Sequence, residues 1–282
     1  MKVVRSPYEL RETLKRYGSN TKIGMVPTMG NLHDGHLELV RRAKTDCDVV
    51  VTTLFVNPLQ FGANEDLDAY PQTFDADRNV LESLEVEILF CPTAETMYPQ
   101  GQTLQTKTVV PEIGNTLCGE SRPGHFDGVT TVVTKLFNLV QPDRAYFGEK
   151  DWQQLAIIRK LVLDLNFPID TIGVPTVRAH DNLALSSRNH YLSENERRLA
   201  PQLYQQLCSV RDSVLAGNKD YSSEETKSIN TLSALGFRPD YVAVRDADTL
   251  DHPNNNSNTL RVFGAAYLGR ARLIDNIPIG CA

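Results

Sequence analysis

The sequence predicts an α/β fold, a doubly wound parallel sheet over residues 1–176 followed by a second, smaller α+β domain over residues 177–282. Three observations predict it. Short β-branched runs alternate with apolar residues at helical spacing through the first part of the chain, which favours parallel strands covered by helices on both faces. After its aspartate, the run DVVVTTLFV (Asp48 to Val56) is β-branched or apolar at every position, as a strand buried on both sides is. Beyond about Val177 the alternation stops, and polar helices are followed by strands.

Ser6, Pro7 and Glu9 form a capping-box start for a first helix, whose Leu10, Leu14 and Tyr17 share one face and which Gly18 ends. Lys22 to Val26 is expected as a strand. Leu32 to Lys44 is expected as a helix that begins inside HDGH and carries Leu37 and Val40 on one face. The Asp48–Val56 strand comes next, then a helix near Asp75 to Leu84, the apolar run EILF, and a longer helix from Gly128 to Val140. RAYF reads as a strand, Asp151 as the cap of a helix through DWQQLAIIRKLVL, and TIGVPTV as the strand that closes the alternating series. In the second domain Ser193 and Glu196 form a capping box for one long helix to Leu215. A second helix and strands near Tyr241 to Arg245 and Thr259 to Leu268 complete it, with DHPNNNSN (Asp251 to Asn258) as a turn-rich, mobile loop.

The chain has 282 residues, 41% hydrophobic and 23% charged, which is the composition of a folded globular protein. A formal net charge of -6 argues against wrapping nucleic acid, which requires a broad basic surface, so a phosphate ligand must be held locally. The sequence has no uncharged apolar run long enough to span a membrane, and its start lacks the apolar stretch of a signal peptide. A cytoplasmic protein without membrane contacts is expected. Cys47, Cys91, Cys118, Cys208 and Cys281 are scattered, without a CxxC pair, and read as free thiols.

Four segments carry chemistry. VPTMGNLHDGH (Val26 to His36) leaves a strand, turns at a glycine and opens a helix, so His33 and His36 share one face at a helix N-terminus, where unpaired N–H groups attract phosphate oxygens. Zinc is an alternative for two histidines one turn apart, but HDGH lacks the HExxH spacing and no third ligand is near; a Walker P-loop is excluded by the absence of GxxxxGK[ST]. FGEKDWQQ places Lys150 as a point charge, and Gln154 in the first helical turn, at a second strand-to-helix switch. LALSSRN offers Ser186, Ser187 and Arg188 as a phosphate clamp just past the domain boundary. LFVNPLQFG ends a buried strand in Asn57, Pro58 and Gln60, and an amide such as that of Gln60 suits hydroxyls and a carboxylate on one small molecule.

With PTMGNLHDGH, FVNPLQF, RPGHFDGV, FGEKDWQQL and LSSRN in this order, the sequence resembles the pantothenate synthetase family, within the HIGH-type nucleotidyltransferases. The resemblance implies a Rossmann-like first domain, a lid-like second one, and an ATP-dependent ligase that joins (R)-pantoate to β-alanine through a pantoyl adenylate. It implies that ATP meets Met29, Gly30, Asn31, Leu32, His33, Asp34, Gly35 and His36, then Gly148, Glu149, Lys150 and Asp151, then Val177, Leu185, Ser186, Ser187 and Arg188. His36, His33 and Lys150 are the implied catalytic residues, Gln60 and Gln154 the pantoate ligands, and Arg122 part of a flap. Magnesium is implied, with Asp77 as its ligand, and so is a homodimer. The sequence departs from the family pattern at Ala179, Asn182 and Leu185, and Asn182 is expected to adopt the left-handed turn that a glycine favours. Two other readings stay open: a related nucleotidyltransferase acting on a phosphorylated acceptor, and a nucleotide sensor without activity.

Overall fold

The computed structural model describes residues 1–62, 65, 67, 70–255, 257 and 259–280; Cys281, together with Asn256 and Asn258 of the expected loop, lies outside them. The first part runs β1 (Lys2–Val4), α1 (Pro7–Leu14), β2 (Ile23–Thr28), α2 (Asp34–Asp46), β3 (Val49–Leu54), α3 (Phe74–Ser83), β4 (Ile88–Phe90), α4 (Ala94–Met97), α5 (Cys118–Ser121), α6 (His125–Val140), β5 (Arg144–Gly148), α7 (Trp152–Asp164) and β6 (Asp170–Val174). The second runs α8 (Glu194–Leu199), α9 (Gln202–Leu215), α10 (Tyr221–Ala234), β7 (Arg238–Asp246), β8 (Leu260–Leu268) and β9 (Ala271–Ile279).

Six parallel strands stand in the order β1-β4-β3-β2-β5-β6. The chain leaves β2 in one direction through β3 and β4, then returns to the other side of β2 with β5, so the switch point lies between β2 and β5. Those two strands pair only at Gly24–Arg144 and Met25–Ala145, although β2 runs on to Thr28 and β5 to Gly148. The ladder opens at their carboxyl ends, and a crevice there is where an open α/β sheet binds ligands. One face of the sheet packs on α1, α6 and α7 through Leu10, Phe137, Leu155 and Ile158, and the other on α2 and α3 through Val40 and Leu81, all buried.

The second sheet is antiparallel, β7-β8-β9, and its apolar face packs on α9 and α10 through Leu203, Leu207 and Leu232. Pro239 has no N–H for β8, and the register shifts between it and Tyr241.

Four expectations need correction. Helix α1 ends at Leu14 rather than Gly18, since the amides of Arg16 and Tyr17 bond three residues back, to Thr13 and Leu14. The long helix from Ser193 is two helices, α8 and α9, because Pro201 lacks the N–H that continuity requires. Asp151 stands at the N-cap of α7 but makes no side-chain cap bond. The second domain has a third strand, β9, joined to β8 by the two residues Gly269 and Arg270, with Gly269 at φ 55. The capping boxes at Ser6 and Ser193 form as expected, and Asn182 takes φ 70.

Candidate active site

Strand β2 ends at Thr28, and the chain turns through Gly30 (φ 87) and Asn31 (φ 51) before α2 begins. Asp77 of α3, 3% exposed, holds this turn: its Oδ2 accepts from the Asn31 amide and its Oδ1 from the Leu32 amide, both at 2.8 Å. A side chain at position 30 would crowd that carboxylate at 3.1 Å. Helix α2 is capped by its own histidines. His33 Nδ1 accepts from the Gly35 amide at 3.1 Å, and His36 Nδ1 accepts from the His33 amide at 3.3 Å, with the two rings 4.1 Å apart. Each Nδ1 is therefore a lone pair, and the proton of each neutral ring sits on Nε2.

Burial pushes His36 down to about 3, aided by the neighbouring His33, and pushes His33 down to about 4, aided by the charge of Lys150. Both rings are thus neutral donors at pH 7. A third imidazole, His125 at the start of α6, is pushed down to about 4 by burial and then by Arg122. It donates from Nδ1 to the Gln60 carbonyl at 2.7 Å and accepts from Arg122 Nη1 at 2.9 Å on Nε2.

All three folded values lie below the ordinary imidazole value of 6.5. The unfolded chain therefore binds more protons from about pH 6.5 down to about 3; stability is full above that window and is lost as pH falls through it. Thermal melts are expected to fall steadily from pH 7 to 4, and His125→Gln is expected to flatten the fall. An identical slope in the variant would clear His125 of any part in it.

Lys150 and Asp151 lie on a single 3-10 turn, Glu149–Asp151, at the end of β5, with the Lys150 ammonium 3.4 Å from the Asp151 carboxylate. Lys150, Arg188 and His36 together hold Asp151 below the usual carboxylate range against the opposing effect of burial. Gln60 ends the 3-10 turn Pro58–Gln60 after β3. Its amide is fixed by Asn57, which is 1% exposed and donates to both Gln60 Oε1 and the Gly128 carbonyl at 3.0 Å while accepting from the Tyr98 hydroxyl at 2.7 Å. Helix α6 can approach this turn so closely only at a glycine: a Cβ on Gly128 would stand 2.2 Å from the Leu59 carbonyl oxygen.

These pieces meet at one cavity of about 770 Å³ between the two sheets, a volume typical of small-molecule sites. Met29, His33, Gly35, His36, Gln60, Gly148, Lys150, Asp151, Gln154, Val177 and the run Leu185, Ser186, Ser187 and Arg188 all line it, as does Arg122. Ser187 reaches across the junction, donating to the Asn31 carbonyl at 3.3 Å. Gly30, Asn31, Leu32, Asp34 and Glu149 are not on its wall; they shape the turns beneath it. Asp77, the expected magnesium ligand, is not on the wall either, and both of its oxygens accept backbone amides, through which it holds the turn. Among the described residues no group of three His, Cys, Asp or Glu is arranged to hold a metal. Sequence reasoning assigned no role to Asn57, His125, Asp275 or Asn276. Each of the four has a partner 65 to 127 residues away, Gly128 for Asn57, Gln60 for His125, Arg178 for Asp275 and Glu149 for Asn276, and only the fold reveals it.

A parallel sheet that delivers two capped imidazoles from β2 and an ammonium from β5 to one crevice at its switch point defines an α/β enzyme of the nucleotide-handling class. The family model described as Pantoate-beta-alanine ligase matches residues 2–278. The pantothenate synthetase of Pseudomonas putida strain KT2440 is 54% identical over 278 residues, covering 98% of this chain and 97% of its own. That of Marinobacter nauticus is 52% identical over 280 residues, covering 99% of each. Among solved structures, a pantothenate synthetase of Thermus thermophilus superposes with a TM-score of 0.92 at 45% identity over 99% of both chains. The pantoate-beta-alanine ligase of Francisella tularensis, complexed with Beta-gamma ATP and beta-alanine, gives 0.85 at 35% identity over 100% of this chain and 99% of that one. The chain belongs to the pantoate-beta-alanine ligase family.

Proposed function

We propose that the protein condenses (R)-pantoate with β-alanine in two steps at this cavity, consuming ATP. In the first, a pantoate carboxylate oxygen attacks the α-phosphorus of ATP, the bond to the β-phosphate bridging oxygen breaks, and pyrophosphate leaves. In the second, the β-alanine amine attacks the acyl carbon, AMP departs with the acyl C–O electrons, and the amine gives up a proton. The observation that carries this reading is the convergence of His33 and His36, whose Nδ1 atoms accept backbone amides and leave the proton on Nε2, with Lys150, Gln60 and Gln154 on the lining of one cavity.

Phosphoryl and adenylyl transfer need positioning and charge stabilisation more than covalent help from the protein. Neutral imidazoles are suited to this, because they donate to oxygens that gain charge and those bonds strengthen as the charge grows. Gln60, held by Asn57, orients pantoate without an ion pair, which leaves the carboxylate nucleophilic. A transferase acting on a phosphorylated acceptor would need a cation in that place, and the eroded site of a nucleotide sensor does not match the complete set of groups on the cavity wall.

Magnesium accompanies a triphosphate with one or two protein carboxylates and several waters. Of the carboxylates on the wall, Glu65 is engaged by Arg122 and Asp275 by Arg178, so Asp151 is the residue that would hold the ion, which supplies charge neutralisation along the phosphates. Residues 177–282 act as a lid, supported by the Ser187 contact to the α2 turn. A homodimer and a cytoplasmic site of action belong to the same reading; among the described residues, no helix is long and apolar enough to cross a membrane.

The test is the order of product release. ATP and pantoate alone are expected to yield pyrophosphate in an amount equal to the enzyme, with AMP and pantothenate appearing only once β-alanine is added. Multiple turnovers of AMP release without β-alanine would overturn the reading.

A further inference from the structure

Asn276 on β9 is 3% exposed, yet the proposed reaction gives it no contact with substrate atoms. Its Nδ2 donates to the backbone carbonyls of Glu149 at 2.9 Å and Lys150 at 2.8 Å, both in the turn that presents the Lys150 ammonium. Its Oδ1 accepts from Arg261 Nη1. The Arg261 guanidinium, itself 5% exposed, lies over the Trp152 ring with its carbon 3.4 Å from the ring centre. Trp152 in turn donates its indole N–H to the Ala247 carbonyl of the second domain at 2.7 Å.

The preceding residue does the same for the other phosphate segment. Asp275, 5% exposed, receives both Nη atoms of Arg178 at 2.6 and 2.9 Å, and it also accepts the Asn276 amide at 2.8 Å. Arg178 donates onward to the Asn182 carbonyl at 3.0 Å and pairs by a β-bridge with Ala184, directly before Leu185 to Arg188. Two consecutive residues of one strand thus hold, from the second domain, two of the three segments expected to meet the nucleotide, the third being the α2 turn held by Asp77. Only an amide can fill the second position: it gives two N–H bonds to two carbonyls and still offers an oxygen to a guanidinium.

Resting on the proposed reaction, we propose that Asn276 is a positioning residue for adenylation, which fixes the Lys150 turn against the phosphate chain and, through Asp275 and Arg178, sets it in register with the Ser186–Arg188 loop. A residue that only packs the two domains together would lower stability and leave the chemical step alone.

Asn276→Asp keeps the size and the Arg261 partner but turns an oxygen toward two carbonyl oxygens. In the full-length protein it is expected to lower kcat for pantoate-dependent ATP–pyrophosphate exchange by about 10²-fold, the scale of a 1 Å misplacement, while the KM for pantoate stays within a factor of about two because Gln60 and Gln154 are untouched. The chain has a single tryptophan, Trp152, so its emission reports the Arg261 stack without labelling, and a red shift is expected in the variant. Wild-type kcat with wild-type emission overturns the proposal, and so does a kcat loss fully accounted for by a lower folded fraction in far-UV circular dichroism. Where Asn276→Asp does not fold, Asn276→Ser is put through the same readouts. If the wild type shows no pantoate-dependent exchange, the functional reading fails, and the positioning role of Asn276 is then judged on ATP binding alone. There the variant is expected to bind about tenfold more weakly, the scale of losing a hydrogen bond that orients a charged group, and equal affinity with equal emission would sink it.

Discussion

Lys150→Ala is expected to slow ATP–pyrophosphate exchange by about 10² to 10³-fold, the cost of removing one preorganised donor to developing charge. Three observations lead there. The ammonium sits on a turn gripped by backbone contacts from Asn276, so it is held in place before substrate arrives. It acts on both histidines, helping to hold them neutral in the free protein, so all three groups share one small volume. Its nearest carboxylate, Asp151 at 3.4 Å, is too far for a tight pair, and the charge is available to phosphate. Lys150→Arg is expected to recover little, because a planar fork is larger than an ammonium and aims its donors differently. The measurement is radiolabelled pyrophosphate incorporation into ATP in the presence of pantoate. A rate for Lys150→Ala within about threefold of wild type would take Lys150 out of the reaction, since even one weak net hydrogen bond is worth about that much.

How much of this was legible beforehand depends on the range of the physical cause. The parallel sheet was readable because β3 is buried at nearly every position and because α2, α3, α6 and α7 each fall between two apolar runs. Local chemistry was readable as well: the serine capping boxes, and the left-handed Asn182. The failures came where one residue overrules a pattern. Pro201 splits a helix whose apolar spacing runs on without a break, and the Asp151 carboxylate accepts from Lys150 at the site instead of capping the helix. At the site, residues that touch the cavity were named from sequence because they sit at strand ends, where chemistry gathers in such folds. Those that hold them were not. Asp275 and Asn276 act through partners that are distant in sequence, Asn57 is itself anchored by the distant Gly128, and a buried amide reads in sequence like any other polar residue.

Asp77 is the sharpest case of this, and its replacement is expected to have the second large effect. Asp77→Ala leaves the part-buried amides of Asn31 and Leu32 and the Thr73 hydroxyl without their acceptor. At about 1–3 kcal/mol for each orphaned donor, and nearer the lower figure because the three are only part-buried, the protein is expected to lose about 3–5 kcal/mol of stability, read as a lower urea midpoint at unchanged slope. Glycine adopts the φ 87 of position 30 freely, but Asn31 sits at φ 51, a conformation that a residue with a side chain keeps mainly where its surroundings support it. Once the carboxylate is gone, the cap formed by His33 and His36 shifts, and exchange is expected to fall by about 10²-fold even in the molecules that remain folded. Asp77→Asn keeps one acceptor oxygen and is expected to fall between the two. The magnesium dependence separates this account from the one the family resemblance implied. A turn-holding residue leaves the magnesium midpoint of the residual activity where it was, whereas a ligand to the ion would move it upward in both variants, so a clear upward shift would return Asp77 to the metal and leave the α2 turn to be held by something else.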